Sequence, residues 1–459
     1  MRTLRTGLRW AMVALLVPAC LATTGRLRAE ERDSAARQDV LKLNAVTGMN
    51  PIKGEVLALL EDKGTAKKLV SEAASMAKEK PQPFTYNATL ILGTVAYQVK
   101  DYAAAETFYG LHLEQAKQLR SIEGQITAYG GLIQTFYNNK KYAEAEKACK
   151  EVRDLAVDPM TPEEDIKSVN RFKSAAMEEM ILAIARQGDT ERAINLIDRI
   201  LKDSPTSWLV LDLKARVYRI GEKYQQAAKL YEDALERIKK DTDLKQDSKD
   251  SLSEEIRYIL SGLYVELNQT DKAGEQLKAL LAMDSLSDET RYLMTGLYVD
   301  MNQVDKAAEQ LKKLLAKKPN NPTYNNDLGY IWADHDMNLA ESEKLIRKAM
   351  EEERKLRHKI NPKIKPENDK DNAAYLDSLG WVLYKQKKYQ EAKKYLQQAV
   401  EQEEGKHIEI LDHLGDTLMA LGEKGEAVAV WKKAVKATGD SKREQKRKAE
   451  VLKKIKANE

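Results

Sequence analysis

The chain has 459 residues and a formal net charge of +4, and charged residues make up 32% of it. Only 11 Pro and 22 Gly occur, and long segments have helical periodicity, so composition and pattern together predict an all-α fold. The small net charge excludes the strongly basic balance that is typical of nucleic-acid binding, and no nucleic-acid partner is predicted.

Residues 1–29 have the features of a secretory signal peptide. Arg2, Arg5 and Arg9 precede an apolar run of 13 residues, 10–22, and small residues follow it. A membrane-spanning helix needs about 20 apolar residues, so the pattern indicates an export signal. An uncleaved hydrophobic N-terminal helix is the alternative interpretation.

Two processing sites fit this segment. Cleavage after Ala29 leaves a mature chain that starts EERDSAARQ. The sequence VPAC resembles instead a bacterial lipoprotein signal, in which Cys20 would carry a lipid and anchor the chain to a membrane. Removing residues 1–29 takes away five Arg and no acid, so Lys plus Arg falls from 76 to 71, against 72 Asp plus Glu. The mature chain is therefore predicted to be almost neutral.

Beyond this segment the chain is predicted to be repetitive. Residues 30–83 are interpreted as an N-terminal helical cap or diverged repeat, because residues 52–81 have helical periodicity. RYILSGLYVELNQTDKAGEQLKALLA starts at Arg257 and RYLMTGLYVDMNQVDKAAEQLKKLLA at Arg291, and they align without a gap at an offset of 34 residues. Internal repeats of this length indicate stacked helix pairs.

A small residue recurs near the start of each predicted second helix, at intervals of 34 to 50 residues: Ala105, Ala145, Ala193, Ala227, Ala273, Ala307, Ser342, Ala392 and Ala427. The longer intervals carry charged insertions, predicted to be loops or helix extensions, near residues 158–170, 239–254 and 357–372. Thr161 and Pro162 in the first insertion predict the start of a helix.

The pattern resembles the tetratricopeptide repeat, and the residues that carry the resemblance include Leu92, Gly93, Tyr102, Ala105, Tyr109, Leu376, Leu379, Gly380, Tyr384, Tyr389, Ala392, Leu396, Ala399, Leu411, Leu414, Gly415, Ala427, Trp431 and Ala434. The resemblance implies a right-handed α-solenoid of about nine antiparallel helix pairs over residues 84–440, followed by a charged capping helix over 441–459. The last third also resembles a block found in exported tetratricopeptide proteins of Gram-negative bacteria.

Gly380 lies in the middle of a predicted helix, where Gly costs roughly 1 kcal/mol relative to Ala. In the implied helix pair, Gly380 and Ala392 lie where the two helices cross, and only small side chains permit that approach. Leu379, Tyr384 and Leu396 are predicted to fill the space around the crossing. Burial of Leu contributes roughly 1.5–3 kcal/mol per side chain, which outweighs the cost of the Gly.

The sequence contains no arrangement that is typical of an enzyme or a metal site, and no cofactor is predicted. His335 lies between two Asp residues in a predicted turn, and His407 and His413 lie on different faces of one predicted helix. Cys149 takes a position usually held by an aromatic residue, and is predicted to be buried as a small hydrophobic residue. If Cys20 is removed, no intramolecular disulfide can form, which is compatible with a bacterial envelope.

The resemblance places a binding surface on the first helix of each pair, because these helices line the concave side of such a solenoid. The predicted partner-binding positions are Tyr258, Tyr292, Asn326, Tyr330, Asp377, Trp381, Tyr384, Asp412 and Asp416. Each aromatic residue among them could instead pack between repeats. The Lys/Asn clamp that some family members use for peptide carboxylates is absent, and the three Asp residues favour a basic or neutral ligand.

These observations predict an exported scaffold or adaptor that is not an enzyme and binds a protein or peptide in its groove. The predicted location is the periplasm or the periplasmic face of the outer membrane. An envelope assembly factor or chaperone that handles unfolded segments is the alternative. A single salt-sensitive complex would favour the scaffold, and weak binding to many unfolded peptides would favour the chaperone.

Overall fold

The computed structural model describes residues 37–78, 83–157, 163–202, 207–362, 364, 366, 369–402, 405–439 and 441–459. The predicted signal peptide with Cys20, and the predicted helix start at Thr161 and Pro162, lie outside these residues. The chain divides into two compact units, the first ending at Leu244 and the second beginning at Lys245.

The described part of unit 1 begins with a helical segment over residues 37–42 and a 3₁₀ helix, Leu43–Ala45. Two helices follow where the sequence predicted a helical cap, α1 (Met49–Leu60) and α2 (Lys63–Met76). Asp62 starts the second of them, because its side chain accepts hydrogen bonds from the backbone N–H groups of Gly64 and Thr65. Four helix pairs follow: α3 (Tyr86–Gln98) with α4 (Tyr102–Gln118), α5 (Ile122–Asn138) with α6 (Tyr142–Arg153), α7 (Glu163–Arg186) with α8 (Thr190–Ile200), and α9 (Trp208–Ile220) with α10 (Tyr224–Lys240).

Unit 2 consists of five helix pairs and a terminal helix, α21 (Lys442–Asn458). The pairs are α11 (Gln246–Glu266) with α12 (Thr270–Leu281), α13 (Asp288–Asp300) with α14 (Val304–Lys317), α15 (Pro322–Asp334) with α16 (Leu339–Ile360), α17 (Ala373–Lys385) with α18 (Tyr389–Val400), and α19 (Ile408–Ala420) with α20 (Lys424–Lys436). We call the two members of each pair the first and the second helix. Within unit 2, the first helices α15, α17 and α19 pack against one another in order, as in a solenoid.

The turn inside each pair has the same backbone geometry. At Lys387 φ is 64°, and the N–H of Lys388 donates to the carbonyl of Leu383 at 2.9 Å, which closes the end of α17. A residue with positive φ occupies this place in all nine pairs that the structure describes: Lys100, Lys140, Gly188, Glu222, Asn268, Asn302, Asp336, Lys387 and Gly422. The repeat is therefore a repeat of backbone conformation as well as of side chains.

The small residues that define the sequence repeat lie inside the helix pairs. Each one from Ala105 to Ala427 has 0% of its surface exposed. At Gly380, an added Cβ would lie 2.5 Å from Leu396 Cγ and 3.3 Å from the carbonyl oxygen of Ala392. The close crossing that was predicted from Gly380 and Ala392 is confirmed, and it explains why this helix keeps a Gly.

The charged insertions lengthen helices. α7, α11 and α16 contain 24, 21 and 22 residues, whereas the helices paired with α7 and α11 have 11 and 12. In the last two turns of α16, the side chain of Arg357 donates to Asp369 at 2.8 Å, and Arg354 pairs with Asp371 at 2.8 Å. These ion pairs hold Asp369 and Asp371 against α16. Of the helices in the described residues, none combines the length and the apolar character that crossing a membrane requires.

Candidate protein-binding surface

A stack of three rings lies where α17 and α19 meet in unit 2. The indole of Trp381 lies between the ring of Tyr384, at a centroid distance of 4.9 Å, and the ring of His413, at 4.0 Å. Trp381 Nε1 donates to Asp334 Oδ1 at 3.1 Å, which ties the stack to the end of α15. Side chains from three consecutive first helices therefore form one connected group, as helix stacking at 8–10 Å permits.

His413 is fixed from its other side by Asp377. The two side chains are almost fully buried, and His413 Nδ1 lies 2.9 Å from Asp377 Oδ1. Burial by itself would lower the pKa of His413, but the attraction of Asp377 outweighs it and raises that pKa. The pair joins α17 to α19 inside the protein. Asp377, which was predicted to face a partner, is therefore a buried partner of His413.

This pair predicts a pH dependence of stability. Because the pKa of His413 is higher in the folded protein than its ordinary value of 6.5, the pair stabilises the fold fully below that pH. The contribution is lost as the pH rises through the raised pKa. We expect the melting temperature of the chain to fall over this range, and Asp377→Asn to reduce the slope. Equal slopes for both proteins in thermal melts monitored by circular dichroism would contradict the assignment.

Glu409, at the start of α19, connects three elements. The hydroxyl of Tyr330 on α15 donates to Glu409 Oε1 at 2.8 Å, and Arg447 of α21 donates to the same oxygen at 2.9 Å. Burial would raise the pKa of Glu409, but Arg447 and Arg443 outweigh it and lower that pKa. The carboxylate is therefore held ionised between α15 and α21.

Lys454 of α21 bridges two carboxylates of α19. Its Nζ lies 2.8 Å from Asp412 Oδ1 and 2.8 Å from Asp416 Oδ2, while Arg447 Nη1 lies 3.3 Å from Asp412 Oδ2. Burial and the neighbouring Asp412 raise the pKa of Asp416, with Lys454 opposing them. Both Asp residues, which were predicted to face a partner, are paired here with the chain's own terminal helix.

The other predicted positions lie on the earlier first helices of unit 2. The hydroxyl of Tyr292 donates to Asp327 Oδ2 at 2.6 Å, and Asn326 Nδ2 donates to the other oxygen of Asp327 at 3.1 Å. Tyr258 is half-buried, and burial together with the nearby Asp300 raises its pKa. These three residues occupy one position of consecutive repeats and remain separate from the Trp381 stack.

Three models of the tetratricopeptide repeat match the sequence, over residues 180–242, 264–326 and 373–405. Each match falls on helix pairs with the geometry described above. The chain contains tetratricopeptide repeats. Tetratricopeptide proteins generally bind protein partners on their repeats.

Similar proteins include a tetratricopeptide repeat-containing protein of Pseudomonas aeruginosa, which is 39% identical over 101 residues, 22% of this chain. The match spans only 14% of that relative's length. Among solved structures, a tetratricopeptide repeat protein from Parabacteroides merdae has 17% identity and a TM-score of 0.44, and the match covers 60% of this chain and 97% of that one. The C-terminal part of a tetratricopeptide repeat-containing protein from Cytophaga hutchinsonii has 13% identity and a TM-score of 0.37, with 59% and 98% covered.

We define the inner surface of this tetratricopeptide array as the face on which the first helices of unit 2 carry Glu266, Asp300, Tyr330, Asp334, Asp377, Trp381, Tyr384, Glu409, Asp412, His413 and Asp416. Sequence reasoning found six of these and missed Glu266, Asp300, Asp334, Glu409 and His413. Glu266, Asp300 and Asp334, which we call the acidic row, could have been recognised in the sequence, because they follow one another at the repeat offset of 34 residues.

The remaining candidates of the tetratricopeptide array lie where they were expected. Cys149 is buried, and burial raises the pKa of its thiol to about 12, which keeps it protonated and unreactive. His335 follows the last residue of α15, and its Nδ1 lies 2.9 Å from the carbonyl oxygen of Ile331. Among the described residues, no group of three or more His, Cys, Asp or Glu is arranged to hold a metal ion.

Proposed function

We propose that the chain is an exported scaffold, without catalytic activity, that binds a protein partner on the inner surface of unit 2. The observation that carries the proposal is the continuity of this surface, in which Trp381 links α15, α17 and α19 by one hydrogen bond and one ring contact. Trp381 itself is buried, with 8% of its surface exposed, so the aromatic side chains that a partner could contact are those of Tyr330 and Tyr384, which are half-buried. Aromatic side chains with few rotatable bonds and a polar edge bind other proteins at low entropic cost. Ionised carboxylates beside them add selectivity for cationic partners.

The titratable groups of the inner surface support a protein without catalytic activity, because they form ion pairs between helices. Asp377 pairs with His413, Glu409 with Arg447, and Asp416 with Lys454. Each pair joins two different helices, which is a structural use of charge. A catalytic acid or base must instead contact a reacting group, so these paired side chains fit a scaffold better than an enzyme.

Export is supported by the sequence of residues 1–29, with its basic start and its short apolar run. We propose that the protein acts in the periplasm or on the periplasmic face of the outer membrane. Fusing residues 1–29 to alkaline phosphatase should give activity outside the cytoplasm. Labelling cells with radioactive palmitate then distinguishes a lipidated chain from one cleaved after Ala29. A chain lipidated at Cys20 incorporates the label and Cys20→Ser abolishes it, whereas a chain cleaved after Ala29 incorporates none.

A photo-cross-linking amino acid placed at Asp300 tests partner binding in the native host. Asp300 is exposed on the first helix α13, and Glu275, exposed on the second helix α12, is the matched control. We expect one or a few discrete cross-linked products from position 300 and much weaker ones from position 275. A continuous smear of many client proteins would support the chaperone instead. Equal products from both positions would contradict binding on the inner surface.

A further inference from the structure

The inner surface of unit 2 already holds a basic helix, the chain's own α21. This helix contains eight Lys or Arg and two Glu residues. Its cations pair with first-helix acids, as the contacts of Arg447 and Lys454 with Glu409, Asp412 and Asp416 show. Since the cations belong to one helix and the acids to another, the structure shows directly which ligand chemistry this surface accepts.

The two halves of α21 are held by different forces. Its buried side chains, Val451 and Ile455, both lie in the second half, where they pack with Trp431 and Ile408 of the last helix pair. The first half, residues 442–450, is held through charged and polar side chains. The second half, together with the partly buried Arg447, is therefore a structural cap. Lys442 and Arg443, in the first turn, are bound instead by exposed ion pairs that water and salt weaken.

The first turn of α21 reaches beyond the last repeat. Lys442 Nζ lies 2.8 Å from Glu266 Oε2 at the end of α11, and both side chains are largely exposed, at 62% and 45%. Arg443 lies 3.2 Å from Glu409 and also opposes the burial that raises the pKa of Asp300. These two cations thus meet Glu266 and Asp300 of the acidic row, which lie four and three repeats away from the pair that α21 caps.

The spacing of the acidic row fits a helical ligand. The row presents one carboxylate for each first helix, and packed helices lie about 8–10 Å apart. Side chains seven residues apart on an α-helix lie on one face and about 10.5 Å apart along its axis. Arg447 and Lys454 of α21 have this separation of seven residues, and the acids that they contact, Glu409, Asp412 and Asp416, all lie on α19.

We propose that the acidic row and Glu409 bind a basic helix of a partner protein, and that Lys442 and Arg443, in the first turn of α21, are a weak internal occupant which the partner displaces. The proposal rests on the proposed function and gives its partner a chemical class: a helix with cations repeated about every seven residues. The exposed pairs of Lys442 and Arg443 can exchange without unfolding the cap, because Val451 and Ile455 keep the second half in place.

Fluorescence anisotropy with a labelled peptide that copies residues 441–459 tests this in the full chain. Lys442→Gln with Arg443→Gln removes the internal occupant, and we expect the peptide to bind about threefold to thirtyfold more tightly than to the unchanged chain. Glu266→Lys with Asp300→Lys should abolish that binding. The matched control, Glu275→Lys with Glu309→Lys on second helices, should leave the affinity unchanged.

A peptide of the same composition in permuted order separates register from net charge. If the permuted peptide binds as tightly, or if the acidic-row variant and its control lose equal affinity, general charge attraction explains the binding and the proposal is overturned. Failure of the copied peptide to bind any form of the chain also overturns it. The cross-linking from Asp300 reports separately on the scaffold role: discrete partners without peptide binding would preserve that role and reject a basic helix as the ligand.

Discussion

Replacing Trp431 by Ala is expected to lower the free energy of unfolding of unit 2 by about 3–5 kcal/mol, the usual cost of removing a buried Trp side chain. Trp431 lies on α20, has 2% of its surface exposed, and packs against Gly415 of α19 so closely that an added Cβ there would lie 2.3 Å from Nε1. The same ring packs with Val451 of α21 and lies 5.8 Å from Lys454 Nζ. Its loss removes contacts with two neighbouring helices, α19 and α21, together.

Trp431→Phe is the control for this change. Trp431 Nε1 is buried and has no hydrogen-bond partner among the described residues, so Phe removes an unsatisfied donor while keeping most of the apolar contact. Urea denaturation followed by circular dichroism should show a loss several times smaller for Phe than for Ala. Equal losses would show that the indole has a polar contact that the packing does not reveal.

Gly380→Leu is expected to destabilise unit 2 by about 1–3 kcal/mol, because overpacking a close helix crossing forces side chains and backbone apart. The Cβ of Leu alone would lie 2.5 Å from Leu396 Cγ and 3.3 Å from the carbonyl oxygen of Ala392, one turn earlier on the same helix as Leu396. Urea denaturation monitored at 222 nm measures the change.

Gly296→Leu provides the matched control, because Gly296 also lies in the middle of a first helix, α13. Apart from Gly296's own helix, no described atom lies within 4 Å of a Cβ added at this position. The control should gain about 0.5–1 kcal/mol, since Leu forms helix more readily than Gly. A similar change in both proteins would mean that helix propensity, and not the crossing, determines the effect at Gly380.

The helix pairs could be predicted because their determinants are local and recur. Ala392 and Ala427, at the same position of their repeats, pack against the preceding helix, and this needs only a small residue at the correct offset. The register of the array followed from that offset alone. The insertion after Leu356 was harder, because whether such a charged segment extends a helix depends on partners such as Asp369 and Asp371, which lie more than ten residues away.

The inner surface could be predicted only in part. Trp381 and Tyr384 were found because the motif places them on a first helix, but their stacking on His413 depends on how two pairs stack. The docking of Lys454 on Asp412 and Asp416 could not be predicted, because it depends on where the last helix lies in three dimensions. The acidic row was visible in the aligned repeats, yet an exposed acid at one repeat position has no meaning until a cation is seen beside it.

Hydrogen–deuterium exchange of the full chain, alone and bound to the protein captured from position 300, tests most directly whether the inner surface is the binding site. We expect binding to slow exchange in α11, α13 and the start of α19, and to speed it in the first turn of α21 as the internal occupant is displaced. Slower exchange confined to the second helices α12, α14 and α16, with no change in the first turn of α21, would contradict the account.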